Sequence, residues 1–405
     1  MKPYAIKGRI IDGVSDAPVE EGLVVVDQGL IAYAGGVQGY KLAEDTEVID
    51  ADGGTILPGF IDCHTHITGG GEDHLLGATH YDNILSATHQ LGLLLDAGFT
   101  FIRDMSSYSG ALSRAVRRGA IRGPDIMPGG RVLSPTAGHA DFSADIPPEF
   151  TWQLSGSGGT CDGVEGCLKA VRLQFRDGAE FIKICTTGGV SSAVDGMDDV
   201  QFSDEEIAVM CAEAARHGTY VASHCSNTAG TYQALVNGVR SIEHGDRLDD
   251  RCIALMKERD IPVVTTLYVS YLLATVKDYP AYMIEKGSAS LPLHRESLHK
   301  AHAAGVRVAF GTDFSNSKNT PLLRNGLEFW AMVDAGFTPM EAIRFGTING
   351  AHVCKRADKI GSLERGKQAD IVVVDSDPLT NIDILTHSDH VKLVVRHGKI
   401  EKKTL

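Results

Sequence analysis

Residues 58–360 alternate short apolar segments with segments of helical periodicity, and this order constrains the fold more than any other feature. Strands separated by helices are typical of βαβ units, whose strands lie parallel in one sheet. The strand candidates are 59–64, 100–104, 125–134, 181–185, 220–224, 241–244, 262–267 and 308–312. Because eight such strands close a barrel, the sequence predicts an α/β fold with a (β/α)8 TIM barrel.

Residues 1–57 and 361–405 differ from this middle part, because they contain short strands separated by turns. The runs 369–374 and 391–395 are rich in β-branched residues, and Gln28-Gly29 suits a two-residue hairpin turn. Chain ends commonly lie close together in folded domains. We therefore expect both termini to form one small β-sandwich domain beside a barrel that spans residues 58–360.

The composition limits the partners of this 405-residue chain. A formal net charge of −14 and the lack of a basic stripe argue against nucleic acid. The eight cysteines include no Cys-x-x-Cys pair, which favours a reducing compartment. The N-terminus lacks the apolar segment of a signal peptide, and no stretch of 18 apolar residues occurs. We expect a soluble, cytoplasmic protein with no membrane partner.

Several strand candidates end in residues that are able to bind a metal ion. His64 and His66 are two residues apart, so in a strand both imidazoles point to the same side and can reach one ion. Singly, each such residue has an ordinary alternative as a core histidine, a buried lysine or a helix cap. Their repetition at successive strand ends favours a metal site, since barrel enzymes carry their chemistry there. The later residues of the series are Lys183, His224, His244 and Asp313.

This order of residues resembles the amidohydrolase superfamily, specifically its members with two metals bridged by a carboxylated lysine. The resemblance covers nearly all 405 residues. Near the C-terminus, the segment 359–375 is similar to the part of that superfamily's chains that leads from the barrel back into the small β domain. The segments 138–141 (Gly-His-Ala-Asp) and 186–190 are similar to the prolidase and Xaa-Arg dipeptidase branch, which is related to imidazolonepropionases.

The resemblance implies a centre with two zinc ions. A lysine ammonium cannot bind a cation, but a carbamate formed from the neutral Lys183 amine and carbon dioxide would bridge the two ions. The implied ligands are His64, His66 and Asp313 for one ion, and His224 and His244 for the other. If Lys183 is unmodified, we expect a single metal held by His64, His66, His224 and Asp313.

The resemblance further implies hydrolysis of a C–N bond in a small molecule, such as a dipeptide or an N-acyl amino acid, by a hydroxide that bridges the metals. Asp313 would carry the proton to the leaving amine, and His139 would bind the carbonyl oxygen or a substrate carboxylate. The alternatives are a carbamate, urea or lactone hydrolase, a deaminase with one metal, and a non-catalytic binding protein. We expect a homo-oligomer.

One position departs from the related prolidases. They carry a tyrosine, which helps to hold the substrate carboxylate, shortly after the fifth-strand histidine, and this chain has Asn227 there. Tyr232 or Tyr268 could compensate, so the candidates for substrate binding are His139, Asn227, Tyr232 and Tyr268. The connections 135–164 and 267–291 are long, and we expect both to overhang the site.

Overall fold

The computed structural model describes residues 2–69, 80–141 and 159–405. The strands are β1 Tyr4–Ile10, β2 Val19–Asp27, β3 Leu30–Gly36, β4 Glu47–Pro58, β5 Phe60–Thr65, β6 Phe99–Asp104, β7 Asp125–Pro128, β8 Leu133–Ser134, β9 Gly159–Thr160, β10 Ile182–Cys185, β11 Val221–Cys225, β12 Ser241–His244, β13 Val263–Val264, β14 Val308–Ala309, β15 Ile371–Val374, β16 Val391–Arg396 and β17 Lys399–Lys403. The α-helices are α1 His80–Asp96, α2 Ser109–Arg117, α3 Gly163–Asp177, α4 Asp204–Arg216, α5 Thr228–Val236, α6 Asp250–Glu258, α7 Leu267–Thr275, α8 Ala281–Ala303, α9 Leu327–Asp334, α10 Pro339–Arg344 and α11 Gly350–Val353.

The middle of the chain forms two parallel sheets that share their edges. One has the order β5-β6-β7, and the other has seven strands in the order β14-β13-β12-β11-β10-β8-β9. Backbone bonds link β5 to the last strand, where the Cys63 amide donates to the Phe310 carbonyl (3.0 Å), and link β7 to the start of β10, where the Glu180 amide donates to the Pro128 carbonyl (2.6 Å). Together the sheets form the expected α/β barrel.

All eight strand candidates of the barrel correspond to observed strands, but the third is split. Pro128 has no amide hydrogen to donate, and Gly130 has a φ of +69°, so β7 ends there and β8 joins the other sheet. Neighbouring residues of a strand pack on opposite sides, as period-two geometry requires. Val221 packs in a cluster with the surrounding helices, whereas Ala222 packs in a separate cluster with Val353 of α11.

Two helical segments show where sequence reasoning succeeded and where it failed. Helix α4 begins after Ser203, where the sequence Ser-x-x-Glu is typical of a helix start, and Ser203 and Glu206 form the capping box that this pattern indicates. The connection 267–291, expected to be a loop, instead contains α7 and the start of α8. Because α7 is apolar nearly all round and α8 contains Pro292, neither has a clear amphipathic stripe that would indicate a helix.

Both termini contribute to one β domain, in the order β17-β16-β15-β4-β1-β2-β3. The sheet is mixed, since β1 and β4 are parallel and the other pairs are antiparallel. Gln28 and Gly29 have φ values of +50° and +83°, as a type I′ hairpin requires. The strands hydrogen-bond in one continuous seven-stranded sheet rather than in two separate ones. The exact domain limits at residues 57 and 361 stay a prediction.

Two further expectations can be compared with the structure only where it describes the chain. Most of the long connection 135–164 lies at 142–158, outside the residues that the structure describes. Among helices within the described ranges, none is long and apolar enough to cross a lipid bilayer.

Candidate metal centre and active site

The histidines that the sequence placed at strand ends meet at one end of the barrel. His64 lies in β5, and its ring centroid is 5.3 Å from that of His66 and 5.0 Å from that of His244. The His224 and His244 centroids are 4.6 Å apart. Lys183 of β10 is 2% exposed, and its Nζ lies 3.5 Å from His64 Nε2. Parallel strands aligned in register bring these separate segments together.

His64, His66 and Asp313 form the tightest group of possible metal ligands. Asp313 Oδ1 lies 3.0 Å from His66 Nε2 and 3.3 Å from His64 Nε2, and one ligand atom from each residue falls within 4.8 Å of the others. His66 Nδ1 faces the Met105 carbonyl at 3.1 Å, which favours a proton on Nδ1. The Nε2 atoms of both histidines are therefore the ones that face Asp313.

The protonation states of this group suit a cation. Burial lowers the pKa of His64 to about 4, and the positive charge of Lys183 adds to this effect. Although burial by itself would raise the pKa of Asp313, His64 and His66 hold it well below its usual range. Neutral imidazole and ionised carboxylate are the forms that bind Zn²⁺ and similar ions, so the donor set fits a divalent metal.

His224 and His244 complete the ring of imidazoles. Burial lowers the pKa of both, with further lowering from His139 for His224 and from His224 for His244. His244 Nδ1 lies 2.7 Å from Thr266 Oγ1, which leaves its Nε2 available. His224 Nε2 lies 3.2 Å from the Gly188 carbonyl. Both rings can thus be neutral ligands of a second ion.

Two buried charges that the sequence analysis missed support His64. Glu243 Oε2 lies 2.8 Å from His64 Nδ1, and both oxygens of Glu243 accept from Arg103 Nη2 at 2.7 Å. Arg103 also donates to the Cys63 carbonyl and is completely buried. Burial by itself would raise the pKa of Glu243, but the charge of Arg103 lowers this pKa to about 2. A charged residue inside an apolar strand was the signal for both, since such residues are rarely buried without a partner.

His139 lies against the histidine cluster. Its ring stacks on His224 with centroids 4.2 Å apart and an interplanar angle of 19°. His139 Nδ1 faces Asp195 Oδ2 at 3.2 Å, and its backbone amide donates to Gln201 Oε1 at 3.0 Å. The carboxylate of Asp195, which sequence reasoning did not single out, thereby favours a proton on Nδ1 of His139.

The remaining candidates for substrate binding lie in three different settings. Asn227 caps α5 through the Gly230 amide (2.8 Å) and donates to the Met197 and Asp199 carbonyls (both 3.0 Å), so its amide is occupied. Tyr232 lies exposed on α5 beneath the Arg251 guanidinium. The centroid of the Tyr268 ring lies 5.8 Å from that of Phe314, the residue after Asp313.

An α/β barrel with histidines and carboxylates gathered at its strand ends has the architecture of a metal-binding barrel enzyme. The sequence pattern of the Amidohydrolase family matches residues 55–400, and the chain belongs to this family. The family is generally metal-dependent, and its fold consists of a TIM barrel and a β domain.

Individual relatives agree with this assignment. The chain is 32% identical to ochratoxinase from Aspergillus niger, with 98% of this chain and 85% of the relative covered. The crystal structure of that enzyme superposes with a TM-score of 0.91 at 30% identity, covering 99% of this chain and 96% of the other. A Xaa-Pro dipeptidase with bound methionine in its active site gives a TM-score of 0.88 at 28% identity, with 98% and 99% covered.

A third relative, imidazolonepropionase from Geobacillus thermodenitrificans (strain NG80-2), is 25% identical, with 94% of this chain and 90% of the relative covered. These similarities confirm the predicted branch of the superfamily, related to prolidases and imidazolonepropionases. They support an enzyme that hydrolyses a C–N amide bond in a small molecule.

Proposed function

We propose that the protein is a zinc-dependent amidohydrolase that cleaves the amide bond of a dipeptide or an N-acyl amino acid. The observation that carries this proposal is the convergence of His64, His66 and Asp313 beside buried Lys183. Ochratoxinase and the Xaa-Pro dipeptidase are similar over almost the whole chain, and the latter holds methionine, an amino acid, in its active site. A substrate with an amino-acid half is therefore the best-supported class.

The residues at the strand ends would hold two zinc ions. His64, His66 and Asp313 would hold the first ion, and His224 and His244 would hold the second. Lys183 lies within reach of His64, and its amine would add to carbon dioxide and lose a proton to give a bridging carbamate. When bound, the ions supply a Lewis acid for the scissile carbonyl and an acidified water as nucleophile.

The protein's own groups orient the substrate and move the proton. Asp313 is ionised and faces the histidine cluster, so it accepts the proton of the attacking water and returns it to the leaving amine. His139 keeps its Nδ1 toward Asp195, and with protons on both ring nitrogens its Nε2, 3.4 Å from Ser191 Oγ, would donate to the carbonyl oxygen or the substrate carboxylate. We propose that Tyr268, whose ring packs near Phe314, contacts the substrate, and we assign Asn227 and Tyr232 no direct contact with it.

Three finer features accompany this proposal. We count β7 and β8 as one interrupted strand, which completes a (β/α)8 barrel, and we propose that the one continuous sheet of both termini folds over itself as the expected β-sandwich. We place the protein in the cytoplasm, because the chain has eight cysteines without a zinc or redox spacing. We further propose a homo-oligomer, which light scattering of the purified protein would test.

The experiment that tests the function combines metal analysis with a substrate panel. We expect about two zinc ions per chain and, by intact mass or carbon-13 spectroscopy, carbon dioxide on Lys183. Hydrolysis of dipeptides and N-acyl amino acids, but not of carbamates, ureas or lactones, would support the amide substrate. The Lys183→Met variant is the matched control and should lose one ion and most activity. One metal with an unmodified lysine, or cleavage of only the other classes, would contradict the proposal.

A further inference from the structure

The segment 187–200 after β10, here called the β10 loop, encloses the ring of His139. Asp195 Oδ2 accepts a hydrogen bond from the Gly189 amide at 3.1 Å and faces His139 Nδ1 at 3.2 Å. Gly189 packs so closely on the imidazole that a Cβ at this position would overlap the ring. The His139 ring therefore lies between His224 on one side and the β10 loop on the other.

One lysine of α8 holds the first half of this loop. Lys286 Nζ donates to the carbonyls of Gly189 (3.1 Å), Ser192 (2.8 Å) and Asp195 (2.6 Å). An ammonium has three N–H donors, so the loop carbonyls use all of them. One helical turn earlier, the Tyr282 hydroxyl lies 3.3 Å from the Ser191 carbonyl. The half of the loop that contacts His139 is thus fixed to α8.

Other residues hold the second half. Asn227 Nδ2 donates to the carbonyls of Met197 and Asp199, and Arg247 Nη2 also donates to the Met197 carbonyl (2.9 Å). Gly188, whose carbonyl faces His224, has its own backbone bond to Asp199 (3.0 Å). Gln201 Nε2 also donates to Asp195 Oδ2 at 3.2 Å. Loss of the Lys286 ammonium would therefore loosen residues 189–195 without detaching them, while the rest of the loop and the His224 contact stay in place.

We propose that Lys286 is a positioning residue, which holds the β10 loop against His139 and thereby sets the affinity for the part of the substrate that His139 binds. The inference rests on the proposed function, because it needs His139 to contact the substrate. Within the described residues, Lys286 Nζ bonds to the three loop carbonyls, faces Asp195 Oδ1 at 4.0 Å and lies 5.7 Å from the Tyr282 ring centroid. It therefore acts through the loop and Asp195.

The test uses Lys286→Met, which keeps the aliphatic stem and removes the three donors. We expect zinc content to be unchanged and kcat to stay within about threefold, while KM rises about tenfold or more, the loss that one or two hydrogen bonds in substrate binding produce. Hydrogen exchange of residues 189–195, measured without substrate, should become faster. Lys300→Met on the same helix is the matched control, because exposed Lys300 pairs only with Glu296 in the described structure.

Two further variants separate positioning from general damage. Gly189→Ala should raise KM as Lys286→Met does, because the methyl group displaces the His139 ring without touching Lys286. Lys286→Arg retains a cation with several donors and should restore part of the affinity. Unchanged exchange and unchanged KM in Lys286→Met, or loss of zinc and kcat at unchanged KM, would overturn the inference.

Failure of the proposed function would look different. If the wild-type protein cleaved nothing on the panel, the amidohydrolase proposal would fail, and the binding of L-methionine measured by calorimetry would replace KM as the readout. Faster exchange at residues 189–195 with weaker binding of L-methionine would then support the role of Lys286. Equal exchange and equal binding in the variant and the wild type would remove it.

Discussion

His64 Nδ1 lies 2.8 Å from Glu243 Oε2, and this contact decides which nitrogen of His64 faces the candidate metal centre. Glu243 itself is held by Arg103 on both oxygens, and all three side chains are buried. A carboxylate that accepts from the outer nitrogen fixes the tautomer and the orientation of a ligand histidine. The Arg103–Glu243 pair, far from the solvent, therefore supports the metal site as well as the barrel core.

The Glu243→Gln variant should have lower stability and lower metal affinity. Removal of one partner leaves the Arg103 charge buried without compensation, so we expect a loss of about 3–5 kcal/mol in the free energy of unfolding. Metal affinity should fall roughly 10–100-fold, because His64 loses its orienting partner. Urea unfolding and metal titration measure the two effects. Glu296→Gln, on the exposed surface of α8, should change neither, and equal metal affinity in Glu243→Gln would contradict the proposed support.

Removal of metal should destabilise the protein as well as inactivate it. Two imidazoles and one carboxylate form the tightest group at the site, and a ligand at 100 times its dissociation constant adds about 2.7 kcal/mol to the folded state. Dialysis against a chelator should therefore lower the midpoint of thermal unfolding, and added Zn²⁺ should restore it together with activity. A His66→Asn variant should show a much smaller response to both steps. An equal response would place the stabilising metal elsewhere.

Glu328 should make stability depend on pH. Burial raises the pKa of Glu328 from its ordinary value of 4.5 to about 8, against the hydrogen bonds from Thr265, Tyr268 and Leu267. Because the pKa of Glu328 is higher in the folded protein than in the unfolded chain, its protonation stabilises the folded state. This contribution is fully present below pH 4.5 and is lost as the pH rises through about 8. The slope between these values is at most about 1.4 kcal/mol per pH unit.

A Glu328→Gln variant should lack this part of the pH dependence, so its difference from wild type should change between pH 5 and pH 8. Guanidinium unfolding at several pH values measures it. A constant difference across that range would show that Glu328 is ionised in the folded protein throughout.

His294→Leu should disturb the turn that presents His244. His244 has a φ of +68°, a left-handed conformation that costs free energy in a non-glycine residue. His294 of α8 is fully buried, and its Nε2 lies 3.0 Å from the His244 carbonyl. Leucine would leave this carbonyl without its partner, at a cost of about 1–3 kcal/mol. We expect lower stability by urea unfolding and loss of the second metal ion before the first.

The matched control for His294→Leu is Ser288→Ala, because Ser288 lies exposed on the same helix. Metal content equal to wild type in His294→Leu, despite a measured loss of stability, would show that the His244 turn keeps its geometry without this bond.

The strands and their terminal histidines were predictable because their signals are local. The apolar run that ends in His64 and His66, and the run that ends in His244, each show their element type and their polar end within a few residues. The capping box at Ser203 was visible for the same reason. Helix α7 was missed, since an element that is apolar on nearly every face shows no period that distinguishes it from a buried loop or strand.

The supporting residues were not predictable in the same way. Arg103 and Glu243 are 140 positions apart, and Lys286 is more than 90 positions from the carbonyls that it holds. Nothing in the local sequence pairs them, although a charge inside an apolar strand indicates that a partner exists. Asn227 shows the converse, because its place in the sequence suggested substrate binding, whereas its amide caps α5 and bonds the β10 loop.

The sequence by itself determined the order of strands and helices, the β domain formed by both termini and the candidate metal ligands. These follow from side-chain periodicity and turn chemistry, which act over a few residues. Only the tertiary structure decided which nitrogen of His64 faces Asp313, which carboxylate orients His139, and that α8 holds the β10 loop. Such relations depend on distances between segments far apart in the chain, and these distances exist only once the barrel has closed.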